Sequence, residues 1–321
     1  MRFSATIFFG SALLVCLATS CASVGGPKNS PPFGIASGPD GNLWFTGFDS
    51  NRIGRLTPGG QLDGYLVARG GFPSEIAAGP DGGAWFTDFV TNRIGRIGAD
   101  GKLTWFDLPT AGAKPDGIVR GPDANLWFTE SGADKIGRIT PAGDLTEFDL
   151  PHADSSPLSI AVGPDRNLWF TEGKGNRVAR ITPDGKVTEF DLPTPDSQPT
   201  GIAAGGDGNL WVVEFQAKRI ARITPQGRVI GEFQLSPDAA PFDIAAHPDG
   251  SIWATSRGDT AIWRIAFDGS KPREFQLGSG STPALIAAGP DGNVWFTDMS
   301  GKIGRVTSSG SISEFPIVAD R

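Results

Sequence analysis

Tryptophan recurs in this chain at Trp44, Trp85, Trp127, Trp169, Trp211, Trp253 and Trp295, in steps of 41 and then 42 residues. Seven of the nine tryptophans keep this beat, so the slot is architectural. Proline keeps the same period at Pro32, Pro73, Pro115, Pro157, Pro199, Pro241 and Pro283, and an isoleucine follows each one three residues later, from Ile35 to Ile286. A period of this length means stacked supersecondary units, none of which can bury its apolar face alone.

Each copy contains four short apolar runs, in the fifth "GIAAG", "NLWVVE", "RIARIT" and "VIGEFQL". They are too short for helices and rich in β-branched and aromatic residues, so they read as strands. Turns such as "GPDG" and "TPDG" join them, with proline presetting φ and glycine relieving crowding at the end. Each copy is therefore a four-stranded antiparallel meander, and the chain is expected to be all-β, a seven-bladed β-propeller over residues 32–317. The seventh copy carries its own last strand, "SISEFPI", and "GGPKNSP" before Pro32 is not strand-like. No strand exchange between the termini is expected, so blade one must close on blade seven by side-chain packing.

Residues 1–21 read as an export signal: one cation, Arg2, then the apolar run "IFFGSALLVCLA", too short to span a bilayer. "LATSC" resembles a bacterial lipobox that would make Cys21 the lipidated N-terminus; ordinary cleavage nearby is the alternative. Either way the protein is exported, periplasmic or lipid-anchored in the cell envelope, with residues 22–31 as a linker and 318–321 as a tail. Cys16 lies in the removed run, so no internal disulfide can form. With 28 basic against 35 acidic residues, the chain lacks the basic footprint that a nucleic acid would need.

The second strand ends in Gly47, Asp88, Glu130, Glu172, Glu214, Ser256 or Asp298, and the third begins with Arg52, Arg93, Lys135, Arg177, Arg219, Ala261 or Lys302. Acid and base face each other across one hairpin, and blade six has lost both, which is how a structural cross-strand pair behaves. Arg55, Arg96, Arg138, Arg180, Arg222, Arg264 and Arg305 recur in every copy and belong to the scaffold too. Irregularity gathers in blades six, seven and one, neighbours once the ring closes, and a site is expected where the pattern breaks.

The start of each first strand and the end of each second strand share one rim of the central channel, and loops on such a rim are where binding concentrates. Candidate ligand-binding residues there are Phe33, Glu75, Asp116, Phe242, Asp243, Arg257, Thr282, Ala284 and Leu285, with Phe48 and Met299 from the irregular hairpins. The sequence holds no Gly-x-Ser-x-Gly, His-Glu-x-x-His, phosphate loop or Cys-x-x-Cys. Its two histidines, His152 in a linker and His247 in a turn on the opposite rim, are expected to be solvent-exposed, which gives little support to a histidine base.

"LWFTE" together with "IGRIT", spread over residues 32 to 317, resembles the virginiamycin B lyase (streptogramin lyase) family rather than WD-repeat or kelch propellers. The resemblance implies seven blades and an activity that opens a cyclic depsipeptide by elimination across its ester, with magnesium and a histidine base. It also implies working histidines after the repeat proline in blades six and seven and an aromatic hydroxyl in blade one, where this chain has Phe242, Ala284 and Phe33. Thr282 stands where an acid is expected, and Asp298 alone lies near the second acidic metal position.

The expectation is a family member that kept the scaffold and not the lyase machinery, since fold does not carry activity with it. It would act as a monomeric binding propeller for a small apolar ligand, a peptide or an envelope protein, or as a structural protein with an empty channel. The alternative is a lyase or lactone hydrolase that uses rim carboxylates with magnesium or calcium.

Overall fold

The computed structural model describes residues 31–47, 51–67, 71–268 and 270–317. The export signal, most of the linker, Phe48 and the tail lie outside the described residues. Every described regular element is a strand, and these form seven four-stranded sheets, each of four consecutive strands. The fifth sheet is typical, with Pro199–Ala204, Leu210–Glu214, Arg219–Ile223 and Val229–Gln234 paired antiparallel in chain order. This is the seven-bladed propeller that the repeat predicts.

The tryptophans explain why the period is rigid. Trp85, Trp127, Trp169, Trp211, Trp253 and Trp295 are fully buried, each in an apolar cluster with residues of the next blade. In six blades the indole N–H donates to an aspartate four residues earlier, as Trp169 does to Asp165 at 2.9 Å. In blade six Trp253 uses the Ser251 hydroxyl instead. The recurrent arginine lies over the same ring, with Arg180 at 5.6 Å from the Trp169 centroid and 3.4 Å from the Asp165 carboxylate. Burying an indole is thus combined with hydrogen bonding of its one donor and a cation–π contact.

Cross-strand size is conserved even where identity is not. A large residue of the second strand faces a small one of the third, as Phe128 faces Gly137, and a Cβ at that glycine would overlap the ring. Blade six reverses the order, with Ala254 facing Trp263.

Blade one meets blade seven without exchanging strands. Phe33, Ile35, Phe45, Ala284, Leu285 and Trp295 share one apolar cluster across the junction. Thr297 donates its hydroxyl to the Phe33 carbonyl at 2.6 Å. The closing interface therefore uses the same threonine bond as five of the other six junctions.

Two expectations need correction. His247 is buried, not solvent-exposed: its Nε2 meets the Gly292 carbonyl at 2.8 Å and its Nδ1 lies 2.9 Å from Asp249, tying blade six to a turn of blade seven. The acid–base pairs face each other in register as expected, but among the described residues Glu172–Arg177 is the one pair that closes as an ion pair, at 2.7 Å. Lys135 turns to Asp149 and Glu147, Arg219 to Glu232 and Lys302 to Glu314. The reason is reach: the fourth strand offers these cations a carboxylate nearer to solvent, where a charge costs less than in the buried base of the hairpin.

Candidate ligand site at the channel rim

In every blade the first strand carries a bulge between the repeat proline and the isoleucine. A bulge takes residues out of the ladder and re-aims their side chains, and its backbone groups need other partners. A threonine of the second strand supplies one. Thr255 Oγ1 accepts the Asp243 N–H at 3.1 Å and donates to the Ala284 carbonyl of blade seven at 2.7 Å. Thr46, Thr87, Thr129, Thr171 and Thr297 repeat the relay. In blade five the position is Val213, and Thr200 Oγ1 serves the Phe242 carbonyl at 2.7 Å.

The relay ties down the two residues of each bulge. Phe33, Ser74, Asp116, Leu158, Thr200, Phe242 and Ala284 are the first residues of the bulges, and Gly34, Glu75, Gly117, Ser159, Gly201, Asp243 and Leu285 the second. A channel cavity of about 140 Å³ is lined by Glu75, Ser159, Asp243, Leu285 and isoleucines of the repeat. Ser74, which donates to Asp116, and Ser159, which lines the cavity, follow the repeat proline and take part beside the candidates named from the sequence.

The sequence candidates fall into three groups. At blades six, seven and one, Phe33 and Phe242 meet edge to face at 6.4 Å, and the Arg257 guanidinium lies 3.5 Å from the Phe242 ring centroid. Phe33, Ala284 and Leu285 are buried in the cluster beneath, on which the half-buried Phe242 and Met299 pack. Arg257 Nε donates to the Pro283 carbonyl at 3.2 Å.

The second group is the set of channel acids. Asp243 accepts the Ile286 N–H at 2.9 Å and Glu75 the Ile118 N–H at 3.3 Å, each satisfying a bulge of the next blade. Asp116 accepts the Ser74 hydroxyl at 2.7 Å. Burial pushes Asp243 up to about 6 against the pull of the Ile286 and Ile244 N–H groups and of Arg257. Burial likewise raises Asp116 to about 6, opposed by Ser74. Glu75 is held well above the ordinary range by burial and by the charges of Asp116 and Asp243. Burial lowers Arg257 to about 10, with Asp243 opposing.

Thr282 and Asp298 form the third group. Thr282 is exposed, and its N–H and that of Ser300 both donate to Asp298 Oδ1 at 2.8 Å, while Oδ2 is buried with no partner. Asp298 is thus a loop cap. Among the described residues no three His, Cys, Asp or Glu side chains are grouped to hold a metal ion. Magnesium or calcium needs several oxygen ligands around one point, and this donor set does not fit either ion.

The model of the virginiamycin B lyase family matches residues 20–270 and 230–321. A streptogramin B lyase structure is 36% identical over 90% of this chain and 95% of its own, with a TM-score of 0.84. Selenomethionine-substituted virginiamycin B lyase from Staphylococcus aureus is 35% identical over 87% of this chain and 95% of its own, with a TM-score of 0.83. A catalytically inactive histidine-to-alanine variant of that enzyme with quinupristin is also 35% identical, over 88% of this chain and 97% of its own, with a TM-score of 0.83. No curated protein matches. By family model, identity and coverage together, the chain belongs to the virginiamycin B lyase family.

Proposed function

We propose that the protein is an exported binding propeller whose ligand sits on the channel rim at blades six, seven and one. The supporting observation is the grouping of Phe33, Phe242 and Arg257 over an apolar cluster, an apolar surface with one convergent charged group. The relative that is inactivated by replacing one histidine lends indirect support: of the two histidines here, His247 is consumed by an inter-blade contact and His152 lies on an exposed linker beside Glu189. Export follows from residues 1–21, with Cys21 as the lipid acceptor where the lipobox is used. Fractionation of wild-type and Cys21→Ala cells tests it: a membrane fraction that becomes soluble supports lipidation, and cytosolic protein in both overturns export.

Calorimetry with apolar peptides tests the site. Phe242→Ala and Arg257→Ala are expected to weaken binding by tenfold or more; unchanged affinity in both removes the ligand from this rim. A second reading, C–O elimination or lactone hydrolysis by rim carboxylates, is favoured by the Asp116 and Asp243 values near 6, in the range that general acid–base work requires. Turnover of streptogramin B or a simple lactone, with or without added magnesium or calcium, and its loss in Asp243→Asn or Asp298→Ala, would establish that reading.

A further inference from the structure

We infer that the rim is built for an anion: Arg257 anchors the carboxylate of an amphipathic ligand whose apolar body lies against Phe242. The inference rests on the rim binding proposed above and specifies the chemistry of its ligand.

Arg257 is a charge that the scaffold does not need. It follows the end of blade six's second strand, and its backbone N–H donates to the Ala240 carbonyl. Phe89, Ser131, Gly173, Phe215 and Met299 make the same backbone bond at the same place in other blades, and none is charged. The junction therefore forms without a cation, and Arg257 is an addition to it.

The addition is also left unneutralised. Arg177 has Glu172 at 2.7 Å, whereas among the described residues no carboxylate lies within ion-pair distance of Arg257 and its only side-chain hydrogen bond is Nε to Pro283. Nη2 is buried with no acceptor. Asp243, the acid that acts on it electrostatically, has its Oδ2 engaged with the Ile286 N–H and does not reach it. A guanidinium held over an aromatic face and short of acceptors is poised to give an oxyanion a charge-assisted hydrogen bond from Nη1, the nitrogen that is neither bonded to Pro283 nor buried.

The surroundings narrow the anion further. The half-buried Phe242 and Met299, packed on the buried Phe33 and Leu285, offer apolar area on the same rim, which a bare inorganic ion would leave unused. Asp243 next to the site opposes a second negative charge, so a singly charged carboxylate fits better than a phosphate dianion. A peptide C-terminus with a hydrophobic last residue has both features.

The test is calorimetry of the mature protein with N-acetyl-leucyl-phenylalanine as free acid and as amide, and with inorganic phosphate. The acid is expected to bind wild type at least tenfold more tightly than the amide. Arg257→Gln should bring the ratio to about one, Arg257→Lys should restore part of it, and Phe242→Ala should weaken acid and amide alike. Near-UV circular dichroism checks that each variant keeps its packing, and the acid-to-amide ratio on wild type needs no variant. Equal binding of acid and amide, still sensitive to Phe242→Ala, overturns the carboxylate anchor and leaves the rim reading standing. Phosphate binding as tight as the acid overturns the amphipathic assignment. No binding by either peptide overturns the anchor and the rim reading together.

Discussion

At the scale of the residue, the threonine of the "WFT" motif does more than its modest side chain suggests. One hydroxyl accepts a bulge N–H of its own blade and donates to a carbonyl of the next, so it satisfies two backbone groups that the ladder cannot reach. Thr297→Val should cost about 1–3 kcal/mol in denaturant unfolding, the penalty for leaving a buried polar group unpaired. Val213→Thr should change stability little, because the Phe242 carbonyl already has Thr200. The threonine was visible in the sequence as a repeated letter. Its role was not, because the carbonyl it serves lies about 29 residues away on another blade.

At the scale of the element, strands and turns were legible because period and turn chemistry are local properties. The hairpin facing of acid and base was legible as well. What the cation bonds to was not, since the fourth strand competes for it, as Asp149 and Glu147 do for Lys135. Blade six shows how an element keeps its packing while changing its letters. Trp263→Gly should cost about 3–5 kcal/mol as a large-to-small core change. Combining it with Ala254→Phe recreates the pairing of the other blades and should recover a large part of that loss, a coupling that a double-mutant cycle measures.

At the scale of the whole molecule, two sets of carboxyls oppose each other in pH dependence. The turn aspartates Asp40, Asp81, Asp123, Asp165, Asp207, Asp249 and Asp291 are pulled up by partial burial, but their hydrogen bonds outweigh it and hold them below the ordinary range. They stabilise the fold above their unfolded pKa, and that contribution is lost as pH falls through the folded value. The hairpin glutamates do the reverse. Burial, then the neighbouring Glu147, lifts Glu130 to about 8. Burial opposed by Arg177 leaves Glu172 at about 7, and burial with Glu232 puts Glu214 at about 7. Their stabilisation is complete below an unfolded pKa of about 4.3 and disappears as pH rises to 7 and 8. Thermal unfolding should therefore show a maximum at about pH 5 and a decline toward pH 8.5. Glu130→Gln should flatten that decline, raising stability at pH 8.5 by about 1 kcal/mol or more relative to wild type; a wild-type curve flat from pH 5 to 8.5 would contradict the assignment.

The sequence by itself determined the number of blades, their strand order, the closure without exchange and the family, because all four follow from a short pattern copied seven times. The tertiary structure alone decided which copies of a polar residue are spent on the scaffold and which are left over. Asp243, Glu75 and Asp298 look like ligand groups in one dimension, yet each is engaged by a backbone N–H brought to it by folding. Arg257 looks like one irregularity among several, yet among the described residues of the candidate rim it stands over an aromatic ring with its Nη2 buried and without an acceptor. The physical reason is that hydrogen-bond satisfaction is settled between blades, across distances that no local pattern of residues encodes.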